Sequence, residues 1–291
     1  MGEFFALTSA VIWAVAVILL KRSGETVAPF SLNLFRVVVG GVLLLVSLPV
    51  VGLPLWREAP LSDYLLLCLS GIIGIAISDT LFHRSLNMVG AGITAIVDCL
   101  YSPLVVLFAF FLIGERLGIW QFIGMAFVIS GILVAARHEP PPGATTRQLI
   151  VGVLWGVLAM VTLAVGIVIA KPVLNRSPVL WATAIRQVAC ICVMLPGALL
   201  SRRRRKIFSS FRPSRTWRYS LTGSIVGSYI ALILWIAGMK YTMAGIAAIL
   251  NQTTMIYILI FASLFLRESF TKRKLVASVI AVVGIIMVTA G

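Results

Sequence analysis

The sequence AGITAIVDCL at residues 91–100 returns, with small changes, as AGIAAILNQT at residues 244–253. The likeness extends outward without a gap: at a shift of 153 residues, the stretches 77–136 and 230–289 are identical at 12 of 60 positions. Self-similarity over such a length is typical of an internal repeat, and it predicts that the chain consists of two related halves.

Charged residues strengthen this interpretation, because apolar composition alone does not align them. Glu115 falls on Glu268 at the same shift, and Arg36 falls on Arg186 at a shift of 150 residues. Chance matches of Ile, Ala and Gly are common in apolar sequence, whereas charged residues are rare in it. The matched charges therefore indicate a repeat and not a bias of composition.

The composition predicts the class of protein. Of the 291 residues, 60% are hydrophobic and only 11% are charged, and the mean hydropathy is +1.09. A soluble domain carries about 25% charged residues, whereas a membrane-spanning helix needs about 20 mostly apolar residues in a row. Apolar runs and the breakers between them predict ten spans, at 3–21, 30–51, 62–82, 88–113, 118–137, 148–171, 178–200, 216–239, 243–266 and 273–290.

Each half holds five spans, an odd number, so the second half must enter the membrane in the opposite orientation. We predict an all-α polytopic membrane protein whose ten transmembrane helices form two inverted five-helix repeats, 1–137 and 148–291, joined by a proline-rich linker, 138–147. Inverted repeats are a common plan of secondary transporters, in which the substrate lies near the midplane and rocking of the halves alternates access. The predicted fold favours a small-solute transporter.

The distribution of positive charge predicts the orientation. The net charge is +15, and eight of the 24 basic residues lie between residues 202 and 218. Under the positive-inside rule this loop is cytoplasmic and both termini are outside, in a plasma membrane that is the inner membrane of a bacterium. Membrane lipid is an expected partner of such a cluster. Nucleic acid is not, because no nucleic-acid-binding module accompanies the charge.

Two motifs occur once in each half and in the same order. An arginine lies near the start of the second helix, in LFR at 34–36 and AIR at 184–186, and a glutamate closes the fourth, in GER at 114–116 and RES at 267–269. With the AGI openings of spans 4 and 9, these motifs make the chain resemble the EamA-type carriers of the drug/metabolite transporter superfamily over essentially its full length. The resemblance implies a ten-helix carrier of amino acids, amines or other metabolites, often working outward. Many such carriers have cytoplasmic termini, so the resemblance and the charge bias give opposite orientations.

An aspartate near the middle of a span requires an explanation, because a charged side chain there costs about 2.5–3.5 kcal/mol on insertion scales. Asp98 lies about ten residues into span 4, with Thr94 and Tyr101 on a similar helix face, and its repeat partner Asn251 is followed by Gln252. A carboxylate opposite a polar amide could bind a cationic or zwitterionic solute, or accept a coupling proton. The alternative is a hydrogen-bonded aspartate that only joins two helices.

Further aromatic residues lie in spans that are expected to line the centre: Trp13, Trp155, Trp235 and Tyr257. Together with an acid, aromatic faces can hold an ammonium group by cation–π attraction. For most of these residues, packing against lipid or neighbouring helices is the favoured interpretation.

The charged residues that occur in both halves are not expected to bind substrate directly. Arg36 and Arg186 each lie about two turns inside a helix, and inversion places them near opposite faces of the membrane. This depth suits snorkelling or gating better than direct contact with substrate. Glu115 and Glu268 close their helices and are expected to anchor loops.

Asp79 and His83 are four residues apart at the end of span 3 and share a helix face. A hydrated helix end is the favoured interpretation, and a proton relay or gate is the alternative. Their equivalents in the second half, Leu232 and Ile236, are apolar. Any role of the Asp79–His83 pair is therefore specific to one side of the membrane. No metal ion or other cofactor is expected, since neither a lone Asp–His pair nor a CxC spacing of cysteines supports one.

Motifs of membrane enzymes are absent from the sequence: it has no HExxH, no GxSxG and no P-loop, so an enzyme is not expected. The missing nucleotide motif also leaves protons or solute exchange as the driving force. We predict a secondary transporter of a small metabolite, favouring an amine, amino acid or other zwitterion, by export or exchange, as a monomer or homodimer. A channel, a lipid or amphiphile flippase of the same fold, and an anionic-metabolite exchanger stay open as alternatives.

Overall fold

The computed structural model describes residues 2–113, 118–136, 145–241, 250–269 and 271–290, and the regular elements in these ranges are all helical. The α-helices are α1 Gly2–Gly24, α2 Pro29–Val50, α3 Leu61–Gly71, α4 Ser78–Asp98, α5 Tyr101–Ile113, α6 Ile119–Ala136, α7 Thr146–Arg176, α8 Val179–Leu200, α9 Arg204–Phe208, α10 Trp217–Ile225, α11 Leu232–Tyr241, α12 Thr254–Leu266 and α13 Lys272–Ala290.

Within the described ranges, six helical stretches are long and apolar enough to cross a membrane: Gly2–Gly24, Pro29–Val50, Leu61–Asp98, Thr146–Arg176, Val179–Leu200 and Trp217–Gly238. Three shorter apolar helices accompany them, at Tyr101–Leu112, Phe122–Val134 and Leu250–Leu266. The chain is thus an all-α, multi-pass membrane protein, as predicted. The count of ten spans and the inversion of the second half stay predictions.

The boundary between the third and fourth predicted spans differs from the prediction. Helix continues from Leu61 to Asp98 across a kink at Gly90, whose φ of 82° and ψ of 172° are not helical. Glycine adopts a positive φ without a steric penalty, so the chain changes direction at Gly90. The sequence predicts this boundary near residue 85, between the spans 62–82 and 88–113. A second interruption follows Asp98, because Cys99 and Leu100 form a turn before α5 begins. The fourth span is therefore broken directly after its aspartate.

A matching break occurs in the second half. Asn251 and Gln252 are helical, Thr253 forms a turn, and α12 begins at Thr254. Asn251 is the repeat partner of Asp98, so both halves interrupt their fourth helix next to this position. Broken helices at the equivalent place in two repeats are a feature of substrate sites in transporters.

Each half also carries one π-helical segment at corresponding positions. The first, Ile72–Ile77, joins α3 to α4, and the second, Val226–Ala231, joins α10 to α11. A π segment widens a helix locally and is frequent at functional sites. The π-helical segments are thus a further feature that the two halves share, and the alignment of identical residues does not reveal it.

The two halves pack closely at small residues. A Cβ atom added to Gly166 of α7 would lie 2.7 Å from the Cα of Gly74, inside the first π segment. Its counterpart is the contact of Gly227, in the second π segment, with α1, where an added Cβ would lie 2.9 Å from the Cβ of Ala16. Small residues allow helix backbones in a membrane to approach in this way. Each π segment therefore rests against the first helix of the other half.

Polar contacts join the halves at the end where α3 begins. Asp63 is only 3% exposed and forms an ion pair with Arg176 at the end of α7. Nearby, the indole nitrogen of Trp181 donates a hydrogen bond of 2.8 Å to the carbonyl of Leu55. These contacts hold one end of the helix bundle together across the repeat boundary.

Candidate functional site

A cavity of about 1010 Å³, including its open part, lies between the two halves. Both π segments, both helix breaks and both span arginines contribute to its wall. Its lining includes, from the first half, Ser9, Trp13, Arg36, Gly74, Ser78, Asp79, Phe82, Asp98 and Tyr101, and from the second half, Arg186, Gln187, Gly227, Ser228, Trp235, Asn251, Gln252 and Thr254.

Asp98 is half-buried in this wall, at the last residue of α4. Among the described residues its carboxylate has neither a hydrogen bond nor an ion pair. Tyr101 lies one helix turn away and is 9% exposed, and its buried hydroxyl also has no hydrogen-bond partner in the described chain. The Tyr101 ring lies 6.4 Å from that of Trp235, centre to centre. The aspartate thus faces the cavity beside an aromatic pair.

The second helix break contributes amide groups to the same cavity. Asn251 and Gln252 both line it, and the carbonyl of Asn251 accepts a 2.6 Å hydrogen bond from the hydroxyl of Thr254. Their side-chain amides make no hydrogen bond within the described parts of the chain. The cavity therefore brings together the residue pair that the repeat alignment predicted to face each other.

Arg36 is 4% exposed and forms an ion pair with Asp79, and its guanidinium lies 5.8 Å from the ring centre of Trp13. His83 is 1% exposed, and its Nδ1 lies 2.5 Å from the backbone carbonyl of Asp79. The structure thus buries His83 and leaves Asp79 half-buried in the cavity wall, whereas the sequence favoured a hydrated helix end for both. The reason is that the span continues to Gly90, which leaves both residues well inside the helix.

Arg186 has a different environment, although it is the repeat partner of Arg36. It is 2% exposed, and no described residue accepts a hydrogen bond from its guanidinium or forms an ion pair with it. The neighbouring Gln187 donates a 3.2 Å hydrogen bond to the carbonyl of Val37. Since Leu232 replaces Asp79 in the second half, Arg186 has no carboxylate in the equivalent position.

Four other candidate residues do not line the cavity. Thr94 donates a 2.7 Å hydrogen bond to the carbonyl of Gly90, Trp155 packs 4.4 Å from the guanidinium of Arg84, and Tyr257 packs against the apolar core. The fourth residue, His83, lies one helix turn after Asp79 and does not line the cavity. Spacing along a helix placed these residues in the right spans but could not say which face meets the cavity.

Glu268 joins the two halves at the kink in the first half. Its carboxylate accepts hydrogen bonds from the backbone amides of Ala91, at 2.7 Å, and Gly92, at 3.0 Å, and lies 3.7 Å from the ammonium of Lys274. These amides begin the helix that follows Gly90, where a carboxylate is favourably placed. The repeat partner, Glu115, lies outside the described residues.

Sequence reasoning did not single out four polar residues of the wall. The hydroxyls of Ser9 and Ser78 donate to the carbonyls of Ala231 and Ala159, at 2.9 and 2.8 Å. The third is Ser228, whose buried hydroxyl lacks a partner among the described residues, and the fourth is Gln187. Gln187 follows Arg186 directly in an apolar span and could have been found, whereas the serines give no signal of their own.

Comparison with known proteins gives consistent results. The profile of the EamA-like transporter family matches residues 1–137 and 150–290. An uncharacterized transporter of Clostridium kluyveri is 26% identical over 133 residues, which are 46% of this chain and 43% of that protein. A WAT1-related chloroplastic protein of Arabidopsis thaliana is 22% identical over 281 residues, which are 95% of this chain and 66% of that protein. The chain thus spans less than two thirds of the length of either relative.

A third relative, an uncharacterized transporter encoded in a cobO 3′ region of a Sinorhizobium species, is 29% identical over 137 residues, or 46% of this chain and 95% of that protein. A solved crystal structure superposes with a TM-score of 0.67 at 19% identity and covers 98% of this chain and 95% of its own. That likeness supports the fold alone. The family profile covers both halves, and the chain belongs to the EamA-like transporter family.

Proposed function

We propose that this protein is a secondary transporter that binds a small zwitterion, such as an amino acid, in the central cavity. The observation that carries the proposal is a pair of opposite charges in one cavity wall, the half-buried Asp98 and the buried Arg186, neither of which has an ion-pair partner among the described residues. A buried charge without a partner is costly, because it loses hydration and receives no compensating contact. A ligand with an ammonium and a carboxylate would compensate both charges.

Different lining residues of the cavity suit the two groups of such a ligand. Asp98 can accept hydrogen bonds from an ammonium while the amides of Asn251 and Gln252 offer acceptor oxygens beside it. Trp235 and Tyr101 present aromatic surface to the same group. Arg186 can bind a carboxylate through two parallel hydrogen bonds, the geometry in which arginine is strongest.

Transport would proceed by rocking of the halves around this cavity. The contact of Glu268 with the amides of Ala91 and Gly92 closes the end of the bundle where α4 kinks. The ion pair of Asp63 and Arg176 belongs to the other end. Opening one end requires its contacts to break, and the free energy of ligand binding favours one arrangement over the other. Export or exchange, driven by another solute or by protons taken up at Asp98, is the proposed direction and coupling.

Binding to the purified protein tests the proposal. We expect a zwitterionic amino acid to raise the melting temperature, an amine to do so less, and Asp98→Asn to remove the effect of the amine. Arg186→Gln should remove the effect of carboxylate-bearing ligands instead. Glu25→Gln, which removes an exposed carboxylate outside the cavity, is the matched control. Binding that is indifferent to both cavity substitutions would contradict the proposal.

An anionic-metabolite exchanger is the second candidate, and the presence of two arginines in the cavity wall favours it. In that case Arg36 would leave Asp79 to share the ligand with Arg186. The two candidates differ in one result, because an anionic substrate without an ammonium would bind equally well to Asp98→Asn. Saturable counterflow in proteoliposomes would separate either carrier from a channel.

A further inference from the structure

A second cavity, of about 600 Å³ including its open part, lies outside the proposed transport site, between the α1–α2 turn and the loop of residues 201–216. Among the described residues, seven with hydroxyl side chains and Lys206 line it, and none with a carboxylate does. Around it, all of the arginines between residues 202 and 218 are exposed. Four of the hydroxyls, those of Thr26, Ser209, Ser210 and Ser220, already donate to backbone carbonyls. The cavity lies in a strongly positive field.

The loop that covers this cavity is packed in place. Ile207 of α9 is only 9% exposed and joins an apolar cluster with residues of α2 and α8. The ring of Phe211 packs edge-on against Phe35 at 5.2 Å, and the indole nitrogen of Trp217 donates a 3.0 Å hydrogen bond to the carbonyl of Ser210. The loop thus has an apolar underside and a basic outer side, and it forms a defined wall.

A buried hydroxyl without a partner among the described residues lines this cavity. Ser31 is 3% exposed, lines the cavity, and has no hydrogen-bond partner among the described residues. It belongs to the first turn of α2, a helix of 22 residues whose N-cap, Ala28, contributes no side-chain hydrogen bond. Pro29, the first residue of α2, has no N–H, so the amides at this helix start that have no acceptor within the helix are those of Phe30 and Ser31, and they carry its positive dipole end. An anion in the cavity would satisfy both the hydroxyl and these amides.

We propose that this cavity binds a phosphate group, held by Lys206, by Ser31 and by the first amides of α2. A phosphate is tetrahedral and has several acceptor oxygens, which matches a set of hydroxyl, ammonium and amide donors at a helix N-terminus. Two sources supply this chemistry: the headgroup of an anionic phospholipid in the adjacent leaflet, or a soluble phosphate ion. The site is separate from the transport cavity and does not depend on the identity of the transported solute.

The experiment measures the melting temperature of the purified full chain with two probes. One probe is inorganic phosphate in detergent, and the other is a nanodisc of phosphatidylglycerol compared with one of phosphatidylcholine. We expect Lys206→Gln to weaken the stabilising effect about tenfold in apparent affinity, because it removes one charge-assisted hydrogen bond. Ser31→Ala should weaken it less and should leave the melting temperature without phosphate unchanged, since the hydroxyl has no partner to lose. Arg203→Gln removes the same charge from the same loop outside the cavity and is the control.

The outcomes separate the two sources and test the site. If inorganic phosphate stabilises the protein and Lys206→Gln weakens this effect, the ligand is a soluble ion. If only phosphatidylglycerol stabilises the protein and Lys206→Gln weakens that effect equally, the ligand is a lipid headgroup. No stabilisation by either probe overturns the site. Equal losses with Arg203→Gln and Lys206→Gln also overturn it, because a diffuse positive surface and not a defined cavity would then attract the phosphate.

Discussion

Single side chains in the cavity wall differ in whether their charge has a partner. Arg36 and Arg186 occupy equivalent positions in the repeats and are almost equally buried, at 4% and 2% exposed. Arg36 has Asp79 beside it, whereas Arg186 has no ion-pair partner in the described chain. The same substitution should therefore lower the stability of the protein at Arg36 but not at Arg186.

Arg36→Gln should destabilise the protein by about 3 kcal/mol, the low end for a broken buried ion pair, because Asp79 keeps some access to the cavity. Adding Asp79→Asn should restore part of this loss. Arg186→Gln removes a buried cation that has no ion-pair partner in the described parts of the chain, and it should leave the melting temperature unchanged or raise it. Thermal unfolding of the four purified proteins checks this, and a loss at Arg186 equal to that at Arg36 would reveal a partner for Arg186.

Helices and their breaks show how far sequence reasoning reaches. Apolar runs predicted α1, α2 and α8 to within a few residues, because a span must be long enough to cross the bilayer. The kink at Gly90 was missed, since an isolated glycine in an apolar run is compatible with helix. The π segments leave no pattern in the residue types at all. Asp98 and Asn251 were predicted to face each other because the repeat aligns them, whereas the pairing of Arg36 with Asp79 depends on a distance between helices that no alignment contains.

The contact of α7 with the first π segment gives a test at this scale. Gly166→Ala places a methyl group 2.7 Å from the Cα of Gly74, so the two backbones must separate, at a cost of about 1–3 kcal/mol. Gly197→Ala is the control, because nothing lies within 4 Å of the added Cβ and alanine stabilises a helix by about 0.5–1 kcal/mol relative to glycine. Melting temperatures should fall for the first variant and stay or rise for the second. The opposite order would show that the halves do not touch at Gly166.

The contact of Glu268 with the start of the helix after Gly90 gives a second test at the scale of a helix. Glu268→Gln replaces a charged acceptor of two backbone amides by a neutral one, which weakens each hydrogen bond by about 1 kcal/mol. We expect the end at Gly90 to open more often, so a cysteine at Ser228, inside the cavity, should react faster with a soluble maleimide in a background without the native cysteines. Glu25→Gln is the control on the same face. An unchanged rate would mean that this contact does not limit access.

At the scale of the whole molecule, the orientation in the membrane is a prediction that rests on the charges of its two faces. Glu3 is exposed near the start of α1, and Arg212 is exposed in the basic loop. The positive-inside rule predicts that a membrane-impermeant maleimide labels Glu3→Cys and not Arg212→Cys in intact cells. Labelling of Arg212→Cys alone would instead support the cytoplasmic termini that the family resemblance implies. The same pair of variants in inverted vesicles should give the reverse result.

The ion pair of Arg36 with Asp79 has a consequence for the energetics of the transport cycle. In a perfectly symmetric carrier, exchanging the conformations of the two halves would produce a state of equal free energy. In this protein, the exchanged state would place Arg186 in the position that Arg36 now occupies. Leu232 would then lie in the position of Asp79, the carboxylate that pairs with Arg36. In the proposed transport cycle, the unloaded carrier would therefore be biased towards one side of the membrane, and a solute that brings its own carboxylate would remove the bias. We expect such a preference to make the return of the empty carrier slower than that of the loaded one, which is the kinetic signature of an exchanger.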